Sequence, residues 1–349
     1  MRRKRHPTRY LALPLLAATM VVAPRALAAP LDNSPGSANS SSFLASAQRQ
    51  FGAGNYPAAI STLRSVISRD SANAEAFYWL GRCYYEIREL DRAINHAEKS
   101  VALEPQNSVY EDWLGRDYAA KADRDKSYFV ARKVKKHFEK AVELDPRNLS
   151  ARRDLAEFCT QAPWSLGGST DEAIAQIDAI AKIEPIAGHA ARASFDVEAL
   201  KRPDLAGNEY KQILTVKPKD AQPKDSQPYF DAIVFYQGQN KPDEMNSFLD
   251  AAARVSPDDP RLMFYRATAM IMSSTNLDRA AGYLKSYLAS TPDRSEWPSH
   301  AEAREWLGRL YETQGRRMEA AEQYRASLQL DPGRSSAQTR LEKLEKESL

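Results

Sequence analysis

The segment WLGRCYYE, Trp79 to Glu86, is nearly restated as WLGRDYAA from Trp113, 34 residues on, and returns as WLGRLYET from Trp306. A single-core domain has no reason to repeat a phrase at fixed spacing. A stack of like units does, because each unit must present the same packing surface to the next. Prolines keep the same beat: Pro105, Pro146, Pro185, Pro218, Pro257, Pro292 and Pro332 follow one another at intervals of 33 to 41 residues.

Two helices can be read in each unit. The first carries a small residue, Ala47, Gly81, Gly115, Ala156, Ser194 or Gly308, which lets a neighbouring helix approach closely. Twelve residues later stands an alanine in four units, Ala59, Ala93, Ala206 and Ala320, each inside a second amphipathic stretch. Ala173 and Ala280 hold the same place in two others. Turn residues such as Gly54-Asn55 and Gln314-Gly315 permit the reversal between helices. A proline near the end of the second helix stops it from continuing.

This pattern resembles the tetratricopeptide repeat. Leu80, Gly81, Tyr84, Ala93 and Pro105 match its signature in one unit; Leu307, Gly308, Tyr311, Gly315, Ala320, Tyr324 and Pro332 match it in another. The resemblance implies an all-α fold, a right-handed α-solenoid of about eight helical hairpins over residues 40–334. The register reads 40–73, 74–107, 108–148, 149–186, 187–220, 226–259, 261–293 and 301–334, with a capping helix over 335–349. Extra residues around ADRDKSYFV are expected to lengthen the third unit's helices or its turn. QAPWSLGGST, residues 161–170, replaces a short turn in the fourth, and Trp164 is expected to fold back on the neighbouring unit.

The first 28 residues read differently. A basic cluster, an apolar stretch and Ala26-Leu27-Ala28 follow one another in the order of a secretory signal peptide, with cleavage expected after Ala28. Residues 29–39 read as a flexible linker. The mature chain is then expected in a bacterial periplasm or outside the cell. Arg2, Arg3, Lys4, Arg5, Arg9 and Arg25 outweigh the whole chain's +3 excess, so the mature chain is net acidic and nucleic acid loses its support as a partner. After the signal no apolar run is long enough to cross a bilayer. Cys83 and Cys159 fall on equivalent helices two units apart, too distant to bridge, and are expected as buried free thiols.

No arrangement of residues points to catalysis. His96, His137, His189 and His300 are scattered, and no metal-ligand spacing, nucleophile elbow or phosphate-loop lysine occurs. Catalytic, cofactor and metal sites are therefore expected to be none. Gly167-Gly168-Ser169-Thr170 could cradle an anion at a helix start, or simply cap that helix.

The resemblance places the first helices along a concave groove, where position 9 is Gln48, Arg82 and Arg116 in the first three units. Such a row could grip anions, with Tyr78 and Tyr85 flanking it and Glu75, Glu86 and Asp112 as nearby acids; equally, those acids could satisfy the arginines. Arg309 holds the same position in the eighth unit. Phe195, Phe230, Val234, Tyr265 and Met272 are expected on the inner face further along, or in the core if the register slips. The chaperone-docking pattern of such arrays is absent, since its first two slots read Leu44/Gln48, Tyr78/Arg82 and Asp112/Arg116. The expected function is a non-enzymatic scaffold or adaptor binding protein or peptide segments along the groove. The alternatives are an enzyme or enzyme accessory using the glycine-rich loop, and a binder of anionic glycans.

Overall fold

The computed structural model describes residues 35–217 and 226–346. Every regular element among them is helical. Eight hairpins follow in order: α1 (Pro35–Gly52) with α2 (Tyr56–Arg69), α3 (Ala74–Glu86) with α4 (Leu90–Leu103), α5 (Ser108–Asp125) with α6 (Tyr128–Leu144), and α7 (Leu149–Gln161) with α8 (Thr170–Ile183). Next come α9 (Pro185–Glu198) with α10 (Pro203–Ile213), α11 (Gln227–Gly238) with α12 (Pro242–Val255), α13 (Arg261–Met272) with α14 (Leu277–Ser290), and α15 (His300–Thr313) with α16 (Arg317–Leu330). A last helix, α17 (Ser335–Lys346), closes the stack by burying Ala337, Leu341 and Leu344.

The helices start where the chain supplies acceptors for free N–H groups. Asn107 and Asn148 each stand two residues after a proline that follows the preceding helix, and their side chains accept from Val109 N and Ala151 N. Asn73 does the same for Ala76 N. Each such cap contributes about 1 kcal/mol. Between α8 and α9 the economy is greater: Glu184 ends one helix and caps the next, and Pro185, read in the sequence as a stop, is the first residue of α9. A proline fits there because the first turn has no use for its missing N–H.

Residues 35–39, expected as the end of the linker, are instead the start of α1, while 29–34 lie outside the described residues. Residues 1–28, where the signal peptide was expected, lie outside the described residues. The third unit is extended through its helices, with Lys126 turning the chain at a φ of 49°.

Odd-numbered helices form one layer and even-numbered helices the other, and consecutive odd helices such as α5, α7 and α9 touch directly. Ala59, Ala93, Ala173, Ala206, Ala280 and Ala320 are fully buried. Gly115 lies against the Phe138 ring and Gly308 against the Tyr324 ring, each so close that a Cβ would come within 2.5 Å of a ring carbon. The core is strung along the array as successive clusters instead of gathered in one centre. Cys83 and Cys159 are free and buried, and burial pushes both thiols up to about 12.

Candidate binding groove

The odd helices supply the inner wall. On α1 and α3, Gln48 donates to Glu75 Oε1 at 2.9 Å, and the Trp79 indole N–H donates to the same oxygen at 3.3 Å. Arg82 is buried in a box of rings: its Cζ lies 4.0 Å from the Trp113 centroid, 4.8 Å from Phe51 and 5.1 Å from Trp79. Arg116 Cζ lies 4.8 Å from the same Trp113 ring. One indole thus stands beside both guanidiniums, and the two arginines share one wall.

Their chemistry differs. Arg116 is 2% exposed and donates through Nε to Asp154 Oδ2 at 2.5 Å and also to Ser150 Oγ, with Asp112 Oδ2 at 3.4 Å. It is a structural cation held by α5 and α7: of the two roles expected for it, the structure supplies the one in which acids, Asp112 among them, satisfy the arginine. Arg82 has no such acid, and its Nε lacks a hydrogen-bond partner. Asp117, 2% exposed, faces the same space with Oδ1 unpartnered, and burial pushes its carboxyl well above the usual range against the pull of Arg82 and Arg116.

Other expected site residues move into the core. Tyr85 is buried beside Trp113. Phe195, Phe230 and Tyr265, expected as exposed groove residues, are 3%, 2% and 8% exposed. Phe230 packs against Tyr265 with centroids 5.7 Å apart and carries Arg261 over its face at 3.9 Å. Val234 and Met272 are half-buried. Tyr78 is half-buried and stacks on Tyr110 at 5.0 Å. Of the two places expected for Phe195, Phe230 and Tyr265, inner face or core, the structure gives the core, because an odd helix is packed on several sides.

The odd helices also carry polar clusters, several of them buried. Gln161 bridges Glu157 and Glu198. Arg261 donates to Asp259 and to the side-chain amide oxygen of Gln227, Oε1. Glu305 receives Arg309, Arg334 and Ser336. A cleft of about 600 Å³ opens near the last hairpins between Gln237, Met272, Trp306, Arg309 and Glu312.

The sequence reading also missed the connection between α14 and α15, residues 291–299. It reaches the first two hairpins: Arg294 donates to the carbonyl oxygens of Gly52 and Phe51 and stacks on the Phe51 ring at 5.7 Å. Ser295 N donates to Glu86 Oε2 at 3.1 Å. Glu296 lies within the electrostatic reach of Arg82 and Arg116, yet burial holds its carboxyl above the usual range. Its oversized length between two hairpins was the only signal.

The glycine-rich loop is a cap. Ser169 Oγ accepts from Glu172 N at 3.3 Å, and Lys135 fills the turn by donating to Gly167 O at 3.0 Å and Glu172 at 2.6 Å. A side chain at Gly168 would collide with the Ala162 carbonyl oxygen. Trp164, expected to fold back, is 87% exposed on the short 3-10 turn Trp164–Leu166; Phe129 is 81% exposed, and its neighbour Tyr128 donates to Ser165 O at 2.9 Å. Among the described residues no His, Cys, Asp and Glu cluster could hold a metal ion. Nor is any helix there long and apolar enough to cross a membrane.

The fold defines a repeat protein of stacked helical hairpins. The family model described as tetratricopeptide repeat matches residues 44–108 and 272–335, so the first and last hairpins of the array are tetratricopeptide repeats. Among solved structures it is similar to a thermophilic TPR protein from Thermus thermophilus, at 21% identity over 52% of this chain and 93% of that one, with a TM-score of 0.42. A tetratricopeptide repeat protein from Parabacteroides merdae is 14% identical over 88% of this chain and 98% of that one, with a TM-score of 0.42. The Cut9-Hcn1 structure is also similar, at 14% identity and a TM-score of 0.49, covering 88% of this chain and 56% of that one. The search of curated proteins gives no match.

Proposed function

We propose that this protein is a non-enzymatic scaffold that holds protein or peptide segments of its partners along its concave face, in the periplasm or outside the cell. The observation that carries the reading is the inner wall itself. On α1 and α3 it takes a turn of the chain, Arg294 to Trp297, using a carboxylate for a backbone N–H and main-chain carbonyls for a guanidinium. Those contacts suit peptide in general. The location rests on the signal-like residues 1–28 alone.

Photo-crosslinking groups at Gln48, Tyr78 and Glu157, compared with groups on the outer helices, test the reading. Peptides from a displayed library should be trapped from the inner wall only; equal trapping from the outer layer contradicts it. N-terminal sequencing of the exported chain should begin at residue 29.

One observation favours a second reading. Trp164 and Phe129 are exposed stacking surfaces, and Arg132, Lys133 and Lys136 are exposed on the helix that starts beside them. That combination suits an anionic glycan. Binding of an acidic polysaccharide that is lost in a Trp164→Ala, Phe129→Ala chain would support it.

A further inference from the structure

The loop between α14 and α15 is pinned at its base and free in its middle to serve as a ligand. Tyr287 donates its hydroxyl to Pro298 O at 2.6 Å, and the His300 ring nitrogen meets Thr291 O at 2.8 Å, so both ends are tied. The residues between them cross to the first hairpins. Pro292 abuts Gly54, where a Cβ would come within 2.3 Å of the proline ring. Arg294 takes two main-chain carbonyls and lies 4.3 Å from the Trp297 ring centroid. Glu86 takes the Ser295 N–H.

Glu296 then faces the two arginines without closing a contact through Oε1. The same interface leaves Arg82 Nε, Asp117 Oδ1, Ser295 Oγ and the Trp297 indole N–H buried and unpartnered. A permanent core contact seldom tolerates so many unmet groups, because each costs about 1–3 kcal/mol. The charges are complementary while the hydrogen bonding is incomplete, which marks a contact made to exchange.

We propose that the wall of α1, α3 and α5 is a binding site for a partner segment of the form basic–x–acidic–aromatic presented as a turn, and that Arg294-Ser295-Glu296-Trp297, closed by the Trp297 N–H on Arg294 O at 3.2 Å, is its resident occupant, displaced when the partner binds. The proposal rests on the scaffold reading and adds to it the chemistry of the partner and a built-in competitor. A partner whose acidic side chain reaches Arg82 fully, with its aromatic residue against the rings of Phe51 and Trp113, would outcompete the tethered segment in spite of the tether's high effective concentration.

The probe is a fluorescent peptide of residues 290–300, STPDRSEWPSH, titrated against the full chain. A variant carrying Arg294→Ala, Glu296→Ala and Trp297→Ala should bind it at least ten-fold more tightly than the natural chain, since the resident competitor is gone. Adding Arg82→Gln should reverse that gain, and a peptide with lysine in place of its glutamate should bind at least ten-fold more weakly. Melting curves establish that each variant folds. Should the triple variant fail to fold, hydrogen exchange on the natural chain replaces it: saturating peptide should accelerate exchange of the Ser295 amide. An unchanged affinity in the folded triple variant, binding indifferent to Arg82→Gln, or unaltered Ser295 exchange would overturn the proposal. If the triple variant instead captured unrelated peptides elsewhere on the concave face and ignored this one, the scaffold reading would stand and the inference would fall. A chain that captured no peptide on any wall would sink both.

Discussion

Arg116 Nε donates to Asp154 Oδ2 at 2.5 Å, joining α5 to α7 across the gap between two hairpins. With Asp112 on its own helix at 3.4 Å, this cation is enclosed by two acids. Removing it strands both carboxylates in a buried site. Arg116→Ala should lower stability by about 3–5 kcal/mol, measured by urea unfolding. Arg82→Ala should cost only about 1–2 kcal/mol, because Arg82 is held by aromatic faces in place of buried acids. Equal losses would mean that the two equivalent positions do one job.

Gly308 tests the packing of the hairpins themselves. A Cβ there would lie 2.5 Å from Tyr324 Cε1, in a ring whose hydroxyl is tied to Glu312. Gly308→Ala should destabilise by about 1–3 kcal/mol. Gly282 in α14 has nothing within 4 Å of a built Cβ, so Gly282→Ala should stabilise by about 0.5–1 kcal/mol through helix propensity. Both values come from the same denaturation series.

That contrast shows what could be read beforehand. Gly308 and Ala320 recur at fixed spacing because packing leaves room for nothing larger, and such constraints are written residue by residue in each unit. The layer of a ring is written less plainly. Phe195, Phe230 and Tyr265 sit on helices buried on several sides, where 3.6-residue periodicity no longer separates groove from core. Arg116 and Arg82 hold equivalent places in the repeat and differ through Asp112 on the same helix and through Ser150 and Asp154, the last 38 residues away. The reach of Arg294 to Gly52 depends on how the whole array curves, which no local pattern contains.

Buried acids on the inner wall should make stability fall with rising pH. Burial pushes the Glu157 carboxyl up from 4.5 to about 8, helped by Asp154 and Glu198 and opposed by Arg153 and Gln161. A raised folded-state pKa means that the folded chain holds this proton more tightly than the unfolded chain. The contribution is complete below the unfolded value and is lost as pH rises through about 8. Melting temperature should therefore decline from about pH 5 to about pH 9, and Glu157→Gln should flatten that decline. A slope unchanged in the variant would assign it to other groups.

The thiols of Cys83 and Cys159 should be silent in the folded chain. Both are buried, and both are held up at about 12, where the reactive thiolate is scarce at neutral pH. A thiol reagent should label neither until denaturant is added, and then label both. Rapid labelling of Cys83 in native conditions would show that the first hairpins open readily.

The account depends on the array curving until the residue 291–299 loop rests on the wall of the first hairpins. Pulsed electron paramagnetic resonance between spin labels at the exposed positions Ala53 and Asp293, with Cys83 and Cys159 replaced by alanine, measures that closure directly. A narrow, short-distance peak is the predicted result. A broad distribution confined to long distances would contradict it.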